Sequence, residues 1–526
     1  MPDSKYCGVK TMRTAVESRT GEFLEQVASL LGDAAVKVSA QDLEPYSTDW
    51  RKRYVGKPLA VLLPSDIRQV SEIVRLANRL KVSLVPQGGN TGLSGGATPD
   101  QSGQQAILSL ARLQRVRSQD AANKTITVEA GVTLKQVQEI AESMGLLFPL
   151  SLGAEGSATI GGNLATNAGG TAVLRYGNAR NLCLGIEVVT ANGEVWDGLR
   201  GLRKDNTGYD LRDLFIGSEG TLGLITAAVL TLFPKPLGVM TALARVSCPA
   251  DALRLLEIAQ ARCDAALTGF EFMSAVSTQL VTQYFPDIAK VGAEIIGGAD
   301  TSTQGADAAA VANPGSVRGS HDSVLLEISH PESESAATEM LEQVMARALE
   351  ESVISDAIVA QSYAQAKNLW HLRETITLAA AEDGPHIKHD IALPISSLVS
   401  FISEMDQEML TAYPGIRLIN FGHFGDGNLH YNVAPPVAAV AGPSGLEAAQ
   451  RRQHYVEFLS CHEDTIRKRV HDRVIAMNGS ISAEHGLGQL RRDEAKRYKS
   501  PVEMNLMCAL KAALDPNGIL NPGKVL

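Results

Sequence analysis

Three glycine-dense stretches constrain this chain more than any other feature of its sequence: PQGGNTGLSGG at 86–96, PLSLGAEGSATIGGNLATNAGG at 149–170, and GSEGTLGLIT at 217–226. Each adjoins a β-type run, the first directly after SLVP. Glycines without side chains let backbone N–H groups come close to a bound pyrophosphate. One such loop suits a flexible turn equally well, but three at strand ends point to a built surface. No G-x-G-x-x-G is present, so a nicotinamide-dinucleotide turn lacks its fingerprint. GILNPGKV at 518–525 follows the P-loop pattern only until Val525, where Ser or Thr is required.

At 526 residues the chain exceeds what one core usually covers, so more than one domain is expected. Between 58 and 235 short β-type runs (LAVLLP, SLVP, AILSL, TITVEAG, GIEVVTANGEVW) alternate with helical stretches, an α+β pattern. Ile67 to Leu80 reads as a one-sided helix capped by Ser65. Thr133 and Gln136 read as the capping box of a helix to Met144. A second block of strands and helices spans 240–433, and helices are expected from Arg451 through Met477 and from Arg491 to Leu514. The resulting divisions are an N-terminal segment 1–54, a cofactor domain 55–236, a substrate cap 237–480 and a C-terminal segment 481–526. Residues 292–323 and 434–450, rich in Gly, Ala, Ser and Pro, read as surface insertions.

The net charge of −10 argues against a broad phosphate-binding surface, so neither nucleic acid nor anionic membrane is an expected partner. An anionic substrate must then be met by a local cationic cluster. Six scattered cysteines without C-x-x-C suit a reducing compartment. No signal-like or membrane-length apolar run occurs, giving a cytoplasmic expectation, or a mitochondrial matrix one for a processed eukaryotic chain.

Chemistry-bearing residues gather in the second half. NFGHFGDGNLHYNV places His423 and His430 on either side of Asp426-Gly427, the strongest two-residue hairpin signal. Such a turn sets the two imidazoles opposite each other, able to share an ion with a carboxylate such as Glu484. Any one of these histidines alone suits an ordinary hydrogen-bonded core position. Arg373 and Thr377 lie one helical turn apart, and Lys388 follows in the strand expected after Gly384-Pro385. Arg grips a carboxylate through two N–H groups, Lys adds a point charge and Thr a donor.

The three glycine stretches, over roughly 55–235, resemble the FAD-binding domain of the vanillyl-alcohol oxidase superfamily. That likeness implies FAD held by Pro86, Gly88, Gly89, Asn90, Thr91, Gly92, Gly153, Ser157, Gly161, Gly162, Asn163, Asn167, Gly169, Gly220 and Ile225. Asn90 stands near where covalently flavinylated members carry a histidine, and no histidine occurs in 81–182, so non-covalent FAD is implied. H-x-G-D-G-N-x-H and Glu484-His485-Gly486 further resemble the D-2-hydroxyglutarate and D-lactate dehydrogenase branch. From that resemblance His423, His430 and Glu484 hold a divalent ion, zinc by preference, and His485 is the catalytic base. Arg373, Thr377, Lys388 and Asn432 bind a small dicarboxylate 2-hydroxy acid. D-lactate or glycolate oxidation by the same fold, and a flavin subunit of a multi-subunit oxidase, are the rival expectations. An electron-transfer flavoprotein as acceptor and a homodimer are the implied partners.

Overall fold

The computed structural model describes residues 4–297, 321–437 and 446–526. The chain divides into two compact units, one of Met1–Gly170, Tyr176–Lys235 and Glu484–Leu526, the other of Thr171–Arg175 and Pro236–Ala483.

In the first unit the helix Ile67–Leu80 forms where its period demands, and Val70, Ile73, Val74 and Ala77 on its inner face are fully buried. They share a core with Phe23 and Val27 of the helix Ser4–Leu31. Val36–Lys37 pairs antiparallel with Val61–Leu62, which ties that part of the N-terminal segment into this unit. The helix is capped by Asp66, not Ser65. Asp66 Oδ1 accepts from Gln69 N at 3.0 Å, while Ser65, one residue outside, donates through its hydroxyl to Gln69 Oε1 at 3.1 Å. The Thr133–Gln136 capping box is present on Leu134–Ser143, with Met144 as the C-cap.

Two sheets carry the glycine stretches. Ser83–Gln87 runs parallel to Gln105–Ser109 in a four-stranded sheet and leads into the first stretch. The third stretch leads into Leu224–Thr231, the centre of a five-stranded antiparallel sheet. An edge strand of that sheet, Val116–Asp120, is almost wholly polar and exposed, so it shows no hydrophobic alternation. The expected single helix Arg491–Leu514 is two, Arg492–Tyr498 and Pro501–Leu514. Ser500 and Glu503 form a capping box and Pro501 takes the first helical position, which restarts the helix. The chain then returns beside Ser83–Gln87, where Leu84 N donates to Ile519 O and Asn521 N to Leu84 O, both at 2.8 Å.

The second unit is built on a seven-stranded antiparallel sheet in the order Asp356–Val359, Gly238–Val246, Asp322–His330, Leu267–Met273, Arg417–Gly422, Asn428–Ala434, Asp390–Ala392. The helix Tyr363–Asp383 packs Leu369, Leu372 and Ile376 in one core with Leu243, Leu325 and Phe421 of the sheet. Of the two expected insertions, residues 298–320 and 438–445 lie outside the described residues. Their flanks are ordinary structure: Ile295 and Ile296 are buried in a helical turn, Asp322 opens a central strand, Ala434 closes another, and Leu446 begins the helix Leu446–Ala476. The low-complexity composition overruns the true element ends.

Asp406, on the helix Ile395–Ala412, accepts from the Tyr431 hydroxyl at 2.8 Å and from Asn420 Nδ2 at 3.4 Å. Burial raises its carboxyl to about 6 against the pull of those hydrogen bonds. A folded-state value above the unfolded one favours the fold at low pH, and that contribution is lost as pH rises through about 6. Asp406→Asn keeps an acceptor without the charge. It is expected to be about 1–2 kcal/mol more stable than the parent at pH 8 and no more stable at pH 4 in urea denaturation. Equal stability of the two proteins at both pH values would contradict this.

Candidate active site

In the first unit residues of all three glycine stretches line one cleft. Their glycines are needed because neighbouring backbone and side-chain atoms fill the space a Cβ would take. A Cβ on Gly89 would collide with Ser157 O, one on Gly88 with Thr159 Oγ1, and one on Gly161 would sit 2.6 Å from the Ala130 side chain. Asn90, Asn167 and Glu219 also take left-handed backbone (φ 52°, 51° and 52°), a conformation that Asn tolerates and Glu rarely does.

Among the expected FAD residues, Pro86, Gly88, Gly89, Asn90, Thr91, Gly92, Gly161, Gly162, Asn163, Gly220 and Ile225 line this cleft. Gly153, Ser157, Asn167 and Gly169 do not. Ser157 supports Gly89 from behind, Asn167 Oδ1 accepts from Arg180 N at 3.0 Å, and Gly169 lies against the Glu484 carboxylate. Gly153 faces open space. Ser94, Thr159, Phe215 and Glu219 line the cleft without having been anticipated, although all but Phe215 lie within the glycine stretches that drew attention. His485 lines it too.

The cleft fits an extended polar cofactor. Asn163 Nδ2 is buried there with no partner among the described residues, a donor that a bound acceptor would satisfy. Thr159 caps the short helix Ile160–Ala165 by accepting from Gly162 N, which holds Asn163 in place.

The second unit gathers the cationic and imidazole groups around one carboxylate that the sequence reading passed over. Glu271, in the strand Leu267–Met273, is fully buried. Its Oε2 accepts from Arg373 Nε at 2.8 Å, and its Oε1 is hydrogen-bonded to His423 Nδ1. Burial alone would push its carboxyl up, yet the charges of His423 and Arg373 outweigh that and hold it at about 2. Arg373 is buried as well, its guanidinium 4.9 Å from the centroid of the Phe421 ring. The other side of this small cluster is His430, whose ring centroid is 4.9 Å from that of Phe421 and 6.4 Å from that of His423.

The two histidines are neighbours, but not as cross-strand partners of a two-residue hairpin. His430 pairs with Phe421, and His423 lies in the connection between the strands. A type I′ turn requires positive φ at both central residues, and only Gly427 has it. Phe424 is fully buried against Phe272 at 5.3 Å between ring centroids, which draws 424–426 into a 3-10 turn and lengthens the loop. Asp426 then accepts from Asn428 N instead of occupying the turn's first central position.

His423 engages Glu271 through Nδ1, a contact of the kind that orients metal-binding imidazoles. The two ring centroids lie 6.4 Å apart. Imidazole is a donor type that a divalent cation such as zinc accepts. Asn432 is buried on Asn428–Ala434, and its Oδ1 accepts from His389 N at 3.2 Å. Lys388 lies just before the strand Asp390–Ala392 rather than within it, and its carbonyl accepts from Arg467 at 3.3 Å. Thr377, one turn beyond the buried Arg373, is exposed.

The fold is shared with enzymes of the vanillyl-alcohol oxidase type: p-cresol methylhydroxylase with substrate bound superposes with a TM-score of 0.67 at 17% identity, covering 97% of each chain. Residues 58–198 match an FAD binding domain, and residues 235–525 match the C-terminal domain of FAD linked oxidases. Similar relatives include the D-2-hydroxyglutarate dehydrogenase of Xanthomonas citri pv. viticola, 36% identical over 93% of this chain and 94% of its own. The mitochondrial D-2-hydroxyglutarate dehydrogenase of Arabidopsis thaliana is 33% identical over 98% of this chain and 82% of its own. A putative mitochondrial D-lactate dehydrogenase of Schizosaccharomyces pombe is 34% identical over 94% and 87%. The chain belongs to the FAD-linked oxidases, with FAD as its cofactor.

Replacing Asn163 by Ala removes the buried donor while leaving the helix cap intact. FAD is expected to bind about three- to tenfold more weakly, read by fluorescence titration of the apoprotein, with little change in apoprotein melting. Unchanged affinity would show that Asn163 does not face the cofactor.

Proposed function

We propose that this protein oxidises D-2-hydroxyglutarate to 2-oxoglutarate, with FAD as the two-electron acceptor and a divalent ion at the substrate. The observation that carries the proposal is the buried Arg373, fixed by Glu271 in an otherwise acidic protein, in the same small cluster as the His423–His430 pair. A cation buried at that depth and aligned by a carboxylate suits recognition of a carboxylate ligand. The names of the relatives from Xanthomonas and Arabidopsis favour the same substrate.

In this reading Arg373, Thr377, Lys388 and Asn432 bind the two carboxylates, and His423, His430 and Glu484 hold the ion, zinc by its preference for imidazole and carboxylate. A bound ion would lower the pKa of the substrate hydroxyl. An imidazole nitrogen of His485 takes the hydroxyl proton. Bound FAD would supply the two-electron acceptor for the hydride that leaves C2 as the C2–O bond becomes the carbonyl. The absence of histidine from the first glycine turn supports non-covalent FAD.

A D-lactate or glycolate dehydrogenase is the second reading, favoured by the name of the S. pombe relative. A flavin subunit dependent on partners is disfavoured, because one chain carries both the FAD binding domain and the oxidase C-terminal domain. An electron-transfer flavoprotein as acceptor and a homodimer belong to the proposal, as does a cytoplasmic or mitochondrial matrix location. No helix among the described residues is long and apolar enough to cross a membrane.

Two substitutions test the substrate and metal parts. Lys388→Ala is expected to lower kcat/KM for D-2-hydroxyglutarate on the order of ten- to a hundredfold while changing the value for D-lactate much less. Equal losses for both acids, or a parent enzyme that prefers D-lactate, would remove the dicarboxylate reading. Glu271→Gln should leave FAD content intact, reduce the divalent metal retained on purification and raise KM by roughly tenfold. Full metal content with unchanged KM would contradict the role given to Glu271.

A further inference from the structure

Glu219 lines the cofactor cleft, yet its carboxylate is turned to another task. Its backbone is fixed from two sides: Glu219 N donates to Ala165 O at 2.8 Å, and Glu219 O accepts from Asn521 Nδ2 at 2.8 Å. The left-handed conformation at Glu219, followed by Gly220 with φ of 69°, then sends its side chain toward the segment after His485. There Oε1 accepts from Leu487 N at 2.7 Å and Oε2 from Gly488 N at 2.9 Å. The fit is close, because a Cβ on Gly486 would stand 2.8 Å from Glu219 Oε1.

The same segment is gripped through its carbonyls by the first glycine stretch. Ser94 Oγ lies 3.1 Å from both His485 O and Gly486 O, within reach of donating to either, and Gln489 N donates to Ser94 O at 2.9 Å. His485 is therefore registered against the first and third glycine stretches at once, through its own carbonyl and the backbone groups of the four residues that follow it. Burial raises the Glu219 carboxyl above its ordinary range, against the opposing pull of Leu487 N, Gly488 N and the charge of the buried Lys524. Glycine turns that bind a cofactor need no carboxylate, and one carried on left-handed backbone and engaged with a neighbouring segment calls for a separate role.

We infer that Glu219 is a positioning residue for the reaction: by accepting from Leu487 N and Gly488 N it sets His485 against the cofactor cleft. The inference rests on His485 being the base of the proposed reaction. Glutamine is nearly isosteric but offers one acceptor oxygen where the carboxylate offers two, so Glu219→Gln leaves one of the two N–H groups facing an amide NH₂.

The experiment compares the parent with Glu219→Gln, Ser94→Ala and His485→Asn, each purified with its flavin. It measures FAD content, kcat and KM with an artificial acceptor, and the rate of anaerobic flavin bleaching by D-2-hydroxyglutarate per bound flavin. Glu219→Gln is expected to retain FAD and to keep KM within about threefold while bleaching on the order of ten- to a hundredfold more slowly. Ser94→Ala should slow bleaching in the same direction by a smaller factor. A bleaching rate per bound flavin equal to that of the parent in Glu219→Gln, whatever its FAD content, would reduce Glu219 to a structural role and overturn the inference. Should Glu219→Gln fail to fold, an unaltered rate in Ser94→Ala overturns it equally. Parent-like bleaching in His485→Asn would instead show that the base was misassigned, and the inference would fall with that reading.

Discussion

The second unit depends on one buried carboxylate. Glu271 carries a full negative charge out of water, and an isolated charge at that depth would cost several kcal/mol or more. Arg373 and His423 remove that cost, and in doing so each loses its freedom to point elsewhere. The same contact thus fixes the guanidinium that is proposed to bind a carboxylate and the imidazole proposed to bind a metal. Phe421, lying against both Arg373 and His430, closes the group from the other side. A helix, three adjacent strands and a loop are tied together by one cluster, so the arrangement of charge in this unit is set before any ligand arrives.

The first unit solves a different problem, that of bringing three turns close enough to surround a large polar molecule. Glycine is required at Gly88, Gly89 and Gly161 because neighbouring turns occupy the space of a Cβ. The donors that result are backbone groups and Asn163, whose positions are fixed by strand ends and a capped helix. The C-terminal residues join the sheet beside Leu84 and bring the segment of His485 into the same unit as the cleft it lines.

Much of this was readable in the sequence, for identifiable reasons. The helix Ile67–Leu80 has an apolar period strong enough to give its ends to the residue, and the glycine stretches announced the cofactor turns before any coordinates. Where reading failed, a tertiary contact had overruled a local signal. Asp426-Gly427 favours a tight hairpin in isolation, but burying Phe424 favours a longer loop. Gly153, Ser157, Asn167 and Gly169 were counted with the cofactor residues because they share a glycine-rich stretch, although only backbone geometry distinguishes a turn that lines a cleft from one that supports it. Glu271 was the most informative omission. In LTGFEFM it is the single charged residue of a strand buried on both faces, and a charge in that setting must have partners. Glu219 was visible inside a glycine turn but was read as part of a motif rather than as a carboxylate in need of a role.

In the proposed reaction bound FAD would take hydride from C2 of D-2-hydroxyglutarate. Anaerobic stopped-flow flavin reduction by D-2-hydroxyglutarate carrying protium or deuterium at C2 tests this. Bleaching is expected with both, slowed about two- to sixfold by deuterium, a barrier difference on the order of 0.4–1.1 kcal/mol. A flavin left oxidised by this acid but bleached by D-lactate would contradict it.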